Sequence, residues 1–325
     1  MRHRYPLFLL LCFSLIPFRC EGIVTMEKPA TAIVIAAFGT THSDALDSLL
    51  GIVRDTVDRY PQTPVRLAFT SNIIRKRWHQ RSSDKDFRAQ HPGIPEMIYQ
   101  VKNILGTLAD LQNQGYKTIV VQPTLLTAGE EFSDLQSYIN GLLSIVTVKP
   151  RWQPFDRIVL GRPLMGSPEN NHSVQQDLHC LAGALAEDVK QAHKLQAILL
   201  YVGHGNEHLS NAVYSDLQRV MTDMYPDVTT MIGLVEGHPT PDQVLARLEE
   251  TKAERVLLKP LMVVAGDHAK NDMAGDADDS WKTRLLAAGI TPKLLLEGLG
   301  NNAAIRRLFL SHLRDAAAGA GIELR

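Results

Sequence analysis

Beyond Lys28 the chain alternates short, almost wholly apolar runs with longer stretches in which apolar residues recur every three or four positions. The short runs are too brief for helices and rich in Val, Ile and Leu, so they read as buried strands; the longer ones read as amphipathic helices. Strands are predicted at 32–37, 65–70, 118–121 and 157–160, and a second set at 197–202, 229–235, 255–258 and 293–296. Residues 43–60 read as a helix with Ser43 at its N-cap. Strand followed by helix, repeated along the chain, predicts parallel sheets covered on both faces.

The two sets match one another. A shift of 166 residues carries Gly39 onto Gly205 and Thr70 onto Glu236, and the helix after each first strand runs into Tyr-Pro, at Tyr60-Pro61 and Tyr225-Pro226. Later the shift falls to 137, carrying Gly129 onto Gly266 and Glu131 onto His268. The difference, 29 residues, is extra chain in the first half, an insertion around 72–117. Four matches in one order argue for duplication. The expected fold is α/β: two similar lobes, each a parallel β-sheet flanked by helices, with the active site in the cleft between them. The expected boundaries are 29–165 and 166–325, after a leader at 1–28.

In an open parallel sheet, ligands gather at the carboxyl ends of the strands. In the second lobe those ends hold His204, Glu236 and His268; the equivalents in the first are Phe38, Thr70 and Glu131. Two imidazoles and a carboxylate are a common ligand set for Zn, Fe, Co or Ni, and three protein ligands leave positions open for a substrate. Glycines at 203, 205, 237 and 266 let the backbone approach a bulky ligand there. Of the other histidines, His42, His79, His172, His179, His193, His208 and His312 read as surface or packing residues. His91 and His238 sit in His-Pro turns, and His91, inside the insertion, is a candidate ligand for a partner or a haem. The insertion opens with Arg75, Lys76, Arg77 and Arg81 around Trp78. That is either a solvated face or a cradle for a planar, carboxylate-rich ligand, with Arg for bidentate acid contacts and an aromatic for stacking.

Composition narrows the partners. With 325 residues, 45% apolar, 21% charged and a formal net charge of -1, the chain offers no global attraction to nucleic acid or an anionic membrane. Arg2 and Arg4 precede an apolar run at 7–18, too short for a stable membrane span. This pattern reads as a signal peptide cut between Cys20 and Lys28, giving a periplasmic protein; initiation at Met26 would give a cytoplasmic one. Cys180 is then the sole thiol, so no intramolecular disulfide is expected.

Read together, GHG at 203–205, EG at 236–237, AGDH at 265–268, AFGT at 37–40, AFTS at 68–71 and AGEEF at 128–132 resemble the class II chelatases. The resemblance is strongest to the anaerobic-pathway sirohydrochlorin cobaltochelatases (CbiK family) and covers essentially residues 30 to 320. It implies insertion of Co2+, with Fe2+ the second candidate metal, into sirohydrochlorin, a tetrapyrrole, with release of two protons. It implies that His204, Glu236 and His268 hold the metal and handle the protons, and that Glu131 adds a carboxylate or gates metal delivery. Arg75, Arg77 and Arg81, with Phe38 and Thr70, would hold the macrocycle. Ferrochelatases typically carry one His and one acidic partner, so the pair of histidines matches the cobalt enzymes. A homo-oligomer is expected, with the insertion as a natural subunit contact. The departure is the leader, since corrin synthesis is ordinarily cytoplasmic. Two rival readings remain: an exported metal or haem carrier without turnover, and a metal-dependent hydrolase with Glu236 as base, the latter lacking a helical HExxH motif.

Overall fold

The computed structural model describes residues 31–167, 172–206 and 211–325, so the expected leader and His208 lie outside the described residues. The first half runs β1 (Thr31–Ala37), α1 (Leu46–Arg59), β2 (Val65–Phe69), α2 (Asn72–Ser82), α3 (Lys85–Gln90), α4 (Glu96–Tyr99), α5 (Ile104–Asn113), β3 (Thr118–Pro123), α6 (Glu130–Leu143) and β4 (Arg157–Leu160). The second runs α7 (Val174–Ala184), α8 (Ala186–Leu195), β5 (Ile198–Gly205), α9 (Ala212–Met224), β6 (Thr230–Glu236), α10 (Pro241–Glu250), β7 (Arg255–Leu261), α11 (Trp281–Ala287), β8 (Thr291–Leu294) and α12 (Ala303–Gly319).

Each half forms one four-stranded sheet, ordered β2-β1-β3-β4 and β6-β5-β7-β8, with every pair parallel. The same order in both halves is what a duplicated unit gives. Local details repeat as well: the helix-ending tyrosines have φ/ψ of -130/64 at Tyr60 and -133/64 at Tyr225. β6 leads directly to α10, whereas β2 is separated from α5 by α2, α3 and α4, which are therefore the added chain.

Strand alternation feeds three cores. From β1, Ile33 and Ile35 enter one cluster while Ala32, Val34 and Ala36 enter another on the opposite face. From β5, Leu199 and Tyr201 join the same first cluster while Leu200 and Val202 pack outward. The shared cluster fuses the two sheets through one hydrophobic body, and each sheet has its own outer layer. Both faces are thus buried, as the continuous apolar runs require.

The C-terminal chain crosses back over the first half. Helix α12 packs on α1, α7 and β3. Arg162, just past β4, holds Asp177 of α7 at 2.7 Å and Asp315 of α12 at 3.0 Å, and His312 of α12 stands 3.3 Å from Asp177. Burial raises the Asp177 carboxyl, but the bonds from His312 and Arg162 outweigh it and hold the group below its ordinary value. His312 is thus a buried packing residue that also joins this polar network.

Three local readings shift. Ser43 opens a short 3-10 turn and does not cap α1, whose N-cap is Ala45 with no side-chain bond. β8 begins at Thr291, earlier than the pattern indicates, because Thr291 pairs with Arg255. β5 continues to Gly205, past Val202, because Gly203 pairs with Leu234 and Gly205 with Glu236. That extension puts His204 on a strand.

Candidate active site

The carboxyl ends of β1, β3, β5 and β7 face a cleft of about 390 Å³, whose walls come from both halves. That volume lies within the range of about 300–1,000 Å³ usual for small-molecule sites. Its lining includes Phe38, His42, Glu131, His204, Tyr214 and His268.

His204 is fixed by its neighbours. A Cβ at Gly203 would stand 2.7 Å from the Tyr214 ring, and one at Gly205 only 1.8 Å from the Glu236 carbonyl oxygen. Gly205 also has φ +74, a left-handed conformation that side chains rarely adopt. The glycines hold the strand end close enough for the imidazole to enter the cleft. The Tyr214 hydroxyl, pushed up to about 12 by burial and the nearby Glu131 charge despite a backbone hydrogen bond at Gly205, stays protonated beneath it.

The two imidazoles converge. His204 Nε2 lies 3.1 Å from His268 Nε2, with the rings at 86° and their centroids 4.4 Å apart. Each Nδ1 faces an acceptor: Gly205 O at 2.7 Å from His204, and Asp272 Oδ2 at 2.6 Å from His268. A carbonyl or a carboxylate accepts, so the Nδ1–H tautomer satisfies both contacts and leaves both Nε2 lone pairs free to meet a cation. Two facing lone pairs repel until a proton or a cation lies between them. Two nitrogens each about 2.1 Å from one metal, and about 95–110° apart, stand about 3.1–3.4 Å from one another. The observed separation fits such a pair.

Glu236 is not brought into this cluster. It is the last residue of β6, in register with Gly205, and its side chain is exposed. Among the described residues no group of three His, Cys, Asp or Glu is assembled to hold a metal. Glu131, in the first turn of α6, faces the cleft from the opposite half, and Phe38 presents an aromatic surface to it, 47% exposed. Thr70 is outside the lining, though its Oγ1 is buried without a partner.

The cations of α2 have different fates. Arg75 is buried and donates to Phe69 O at 2.6 Å and Thr70 O at 2.9 Å, sealing the end of β2. Arg81 bonds Thr41 O and lies over the Trp78 and Phe87 rings. Trp78 is fully buried, its indole donating to Thr40 O, so it offers no stacking surface. Arg77 is exposed, and it does not line the cleft. His91 ends α3, stacked on Phe87 at 4.1 Å with Nδ1 on Phe87 O, away from the cleft lining.

Two features escaped the pattern of strand ends. Asp272 stands one turn beyond His268, on a π-helical turn, Ala269–Met273. His42 lines the cleft and joins a polar clasp between the halves: Lys270 holds Asp44 at 2.7 Å and approaches His42 at 3.3 Å, while His42 lies 3.5 Å from Asp267. The bond to Lys270 lowers the Asp44 carboxyl. The i,i+4 spacing of His268 and Asp272 was a legible signal; the clasp, made between distant segments, was not.

Two like parallel sheets sharing a cleft at their strand ends have the class II chelatase fold, and the structure of SirB from Bacillus subtilis with Fe3+ matches it with a TM-score of 0.57, covering 91% of this chain and 99% of that one at 14% identity. The chain belongs to the cobalt chelatase (CbiK) family, whose model matches residues 31–318. It is 32% identical over 287 residues to the sirohydrochlorin cobaltochelatase of Salmonella typhimurium, covering 88% of this chain and 96% of that protein. It is 27% identical over 286 residues to sirohydrochlorin cobaltochelatase CbiKC of Nitratidesulfovibrio vulgaris, covering 88% and 90%.

Proposed function

We propose that this chain is a chelatase that inserts Co2+ into sirohydrochlorin, releasing two protons. The observation that carries the reading is the pair of Nε2 atoms 3.1 Å apart in a cleft walled by both halves. Family membership and the names of two relatives support the metal and the tetrapyrrole. In this reading His204 and His268 hold the metal on one face of the ring through Nε2, and each Nε2 takes one pyrrole proton as it gives the metal up to the macrocycle, work that imidazole suits near pH 7. Glu236, one strand over, supplies negative charge at the rim, and Glu131 supplies it from the facing lobe. Phe38 stacks against the macrocycle. Arg77, exposed on α2 outside the cleft lining, is left for a substrate carboxylate that projects past the rim, while Arg75 and Arg81 are held by backbone carbonyls. Fe2+ fits the same donors.

Incubating purified protein with Co2+ and excess sirohydrochlorin tests this. Many equivalents of cobalt-sirohydrochlorin per chain are expected; uptake that stops at one equivalent would favour the carrier instead. Three finer parts belong to the same reading. Export to the periplasm is supported by Arg2, Arg4 and the apolar run at 7–18, and N-terminal sequencing of the mature protein tests it. A haem or partner at His91 would meet Nε2, since Nδ1 is taken by Phe87 O; a Soret band lost in His91→Ala tests it. A homo-oligomer through α2 to α4 is tested by sedimentation. Among the described residues no helix is long and apolar enough to cross a membrane.

A further inference from the structure

The two imidazoles at the cleft are held in different ways. His204 is oriented by a backbone carbonyl, which belongs to the strand and is independent of sequence. His268 is oriented by a side chain: its Nδ1 lies 2.6 Å from Asp272 Oδ2, with both side chains about two-fifths exposed (40% and 43%). His268 is the N-cap of the π turn Ala269–Met273, and its ring is held by a side chain of that same turn.

Within that turn the side chains are divided by task. Ala269 and Met273 are buried in the outer core of the second sheet. Lys270 reaches across to Asp44, and Asn271 turns back to Asp267 at 3.0 Å. Asp272 alone of the five is directed at the imidazole. A π turn inside or beside a regular helix costs stability and recurs at functional sites; here it sets the carboxylate behind the ring.

We propose that Asp272 is a positioning residue for the metal step: it fixes the Nδ1–H tautomer and the ring direction of His268, and so aims the Nε2 lone pair at Co2+. The proposal rests on the reading of His268 as a metal-holding residue. It assigns Asp272 no contact with metal or macrocycle. A carboxylate behind a metal-bound imidazole acts by orientation and by strengthening the donor, and its loss commonly costs about 10- to 100-fold in affinity or activity.

The test is a titration of the whole chain with Co2+ alone, read by the visible d–d absorption of the bound ion, for wild type, Asp272→Ala, Asp272→Asn, His268→Ala and the double variant Asp272→Ala/His268→Ala. Thermal unfolding is followed in parallel, and Asp272→Ser replaces Asp272→Ala if the latter does not fold. Asn keeps an acceptor oxygen at the same reach. Asp272→Ala is therefore expected to weaken Co2+ binding about 10- to 100-fold, and Asp272→Asn to recover most of that loss. The double variant is expected to bind no more weakly than His268→Ala, since residues acting through one group are not additive. Wild-type affinity in Asp272→Ala, equal losses in Ala and Asn, or a double variant weaker than His268→Ala would each overturn the proposal while leaving the site intact. Wild-type affinity in His268→Ala would overturn the site reading, and the positioning role with it.

Discussion

Replacing Gly205 by Ala probes the geometry that delivers His204, and a matched control separates its two causes. Gly205 and Gly289 have nearly the same backbone, φ +74 and +76. A Cβ at Gly289 meets nothing within 4 Å, whereas at Gly205 it would stand 1.8 Å from Glu236 O. Gly289→Ala thus carries the left-handed penalty alone, about 1 kcal/mol. Gly205→Ala carries the same penalty and must also push the end of β6 away by more than an ångström. That breaks the pairing of Gly205 with Glu236, at about 1 kcal/mol for each hydrogen bond lost. The expected totals are about 1 and about 2–3 kcal/mol, or falls in Tm of about 1–2 °C and about 3–5 °C. Activity is expected to separate the two further. Gly289→Ala should insert cobalt at the wild-type rate, while a shift of His204 by about 1 Å costs on the order of 100-fold. Differential scanning fluorimetry and an initial-rate assay check both. Equal Tm shifts with equal rates would refute the argument that the strand end is held by steric exclusion.

His268→Ala should lose cobalt insertion about 10-fold or more at any Co2+ concentration, whereas Glu131→Ala should mainly raise the Co2+ needed; rates measured against metal concentration check this, and equal, unrescued losses would move essential chemistry into the first lobe. Asp177 has a folded pKa below its ordinary 3.8, so its contribution is complete above that value and is lost as pH falls through the folded pKa. Tm should therefore drop below about pH 4, and Asp177→Asn should be less stable at pH 7 by about 1–3 kcal/mol, because the buried Arg162 loses one of its two carboxylate partners and keeps only Asp315; melts from pH 3 to 7 decide it. Tyr214→Phe should lose insertion rate with little change in Tm, since only the hydroxyl beside Gly205 goes; an unchanged rate would exclude it from supporting β5.

The sheets were legible because their signal is local and redundant. Apolar runs such as 32–37 must be strands buried on both faces, and the duplication let one half vouch for the other. His204 and His268 were legible for the same reason, as imidazoles at equivalent strand ends. The errors share a cause in distant partners. The end of β5 depends on pairing with β6, and nothing within residues 198–205 announces it. Arg75 and Arg81 look free as a run of cations, yet each finds carbonyls, at Phe69, Thr70 and Thr41, that only the folded chain brings near. Glu236 sits at the right strand end, but its side chain is exposed and outside the cleft lining, which strand position alone does not decide. His312 and His42 read as ordinary histidines until α12 and the cleft rim place Asp177 and Lys270 beside them.

In the proposed reaction His204 Nε2 and His268 Nε2 together hold one metal ion. X-ray absorption at the cobalt edge, on the protein loaded with one equivalent of Co2+, tests it most directly. Two imidazole nitrogens are expected at about 2.1 Å, as for imidazole on zinc, with one lost in His204→Ala and one in His268→Ala. A first shell of oxygens alone, unchanged by either substitution, would contradict it.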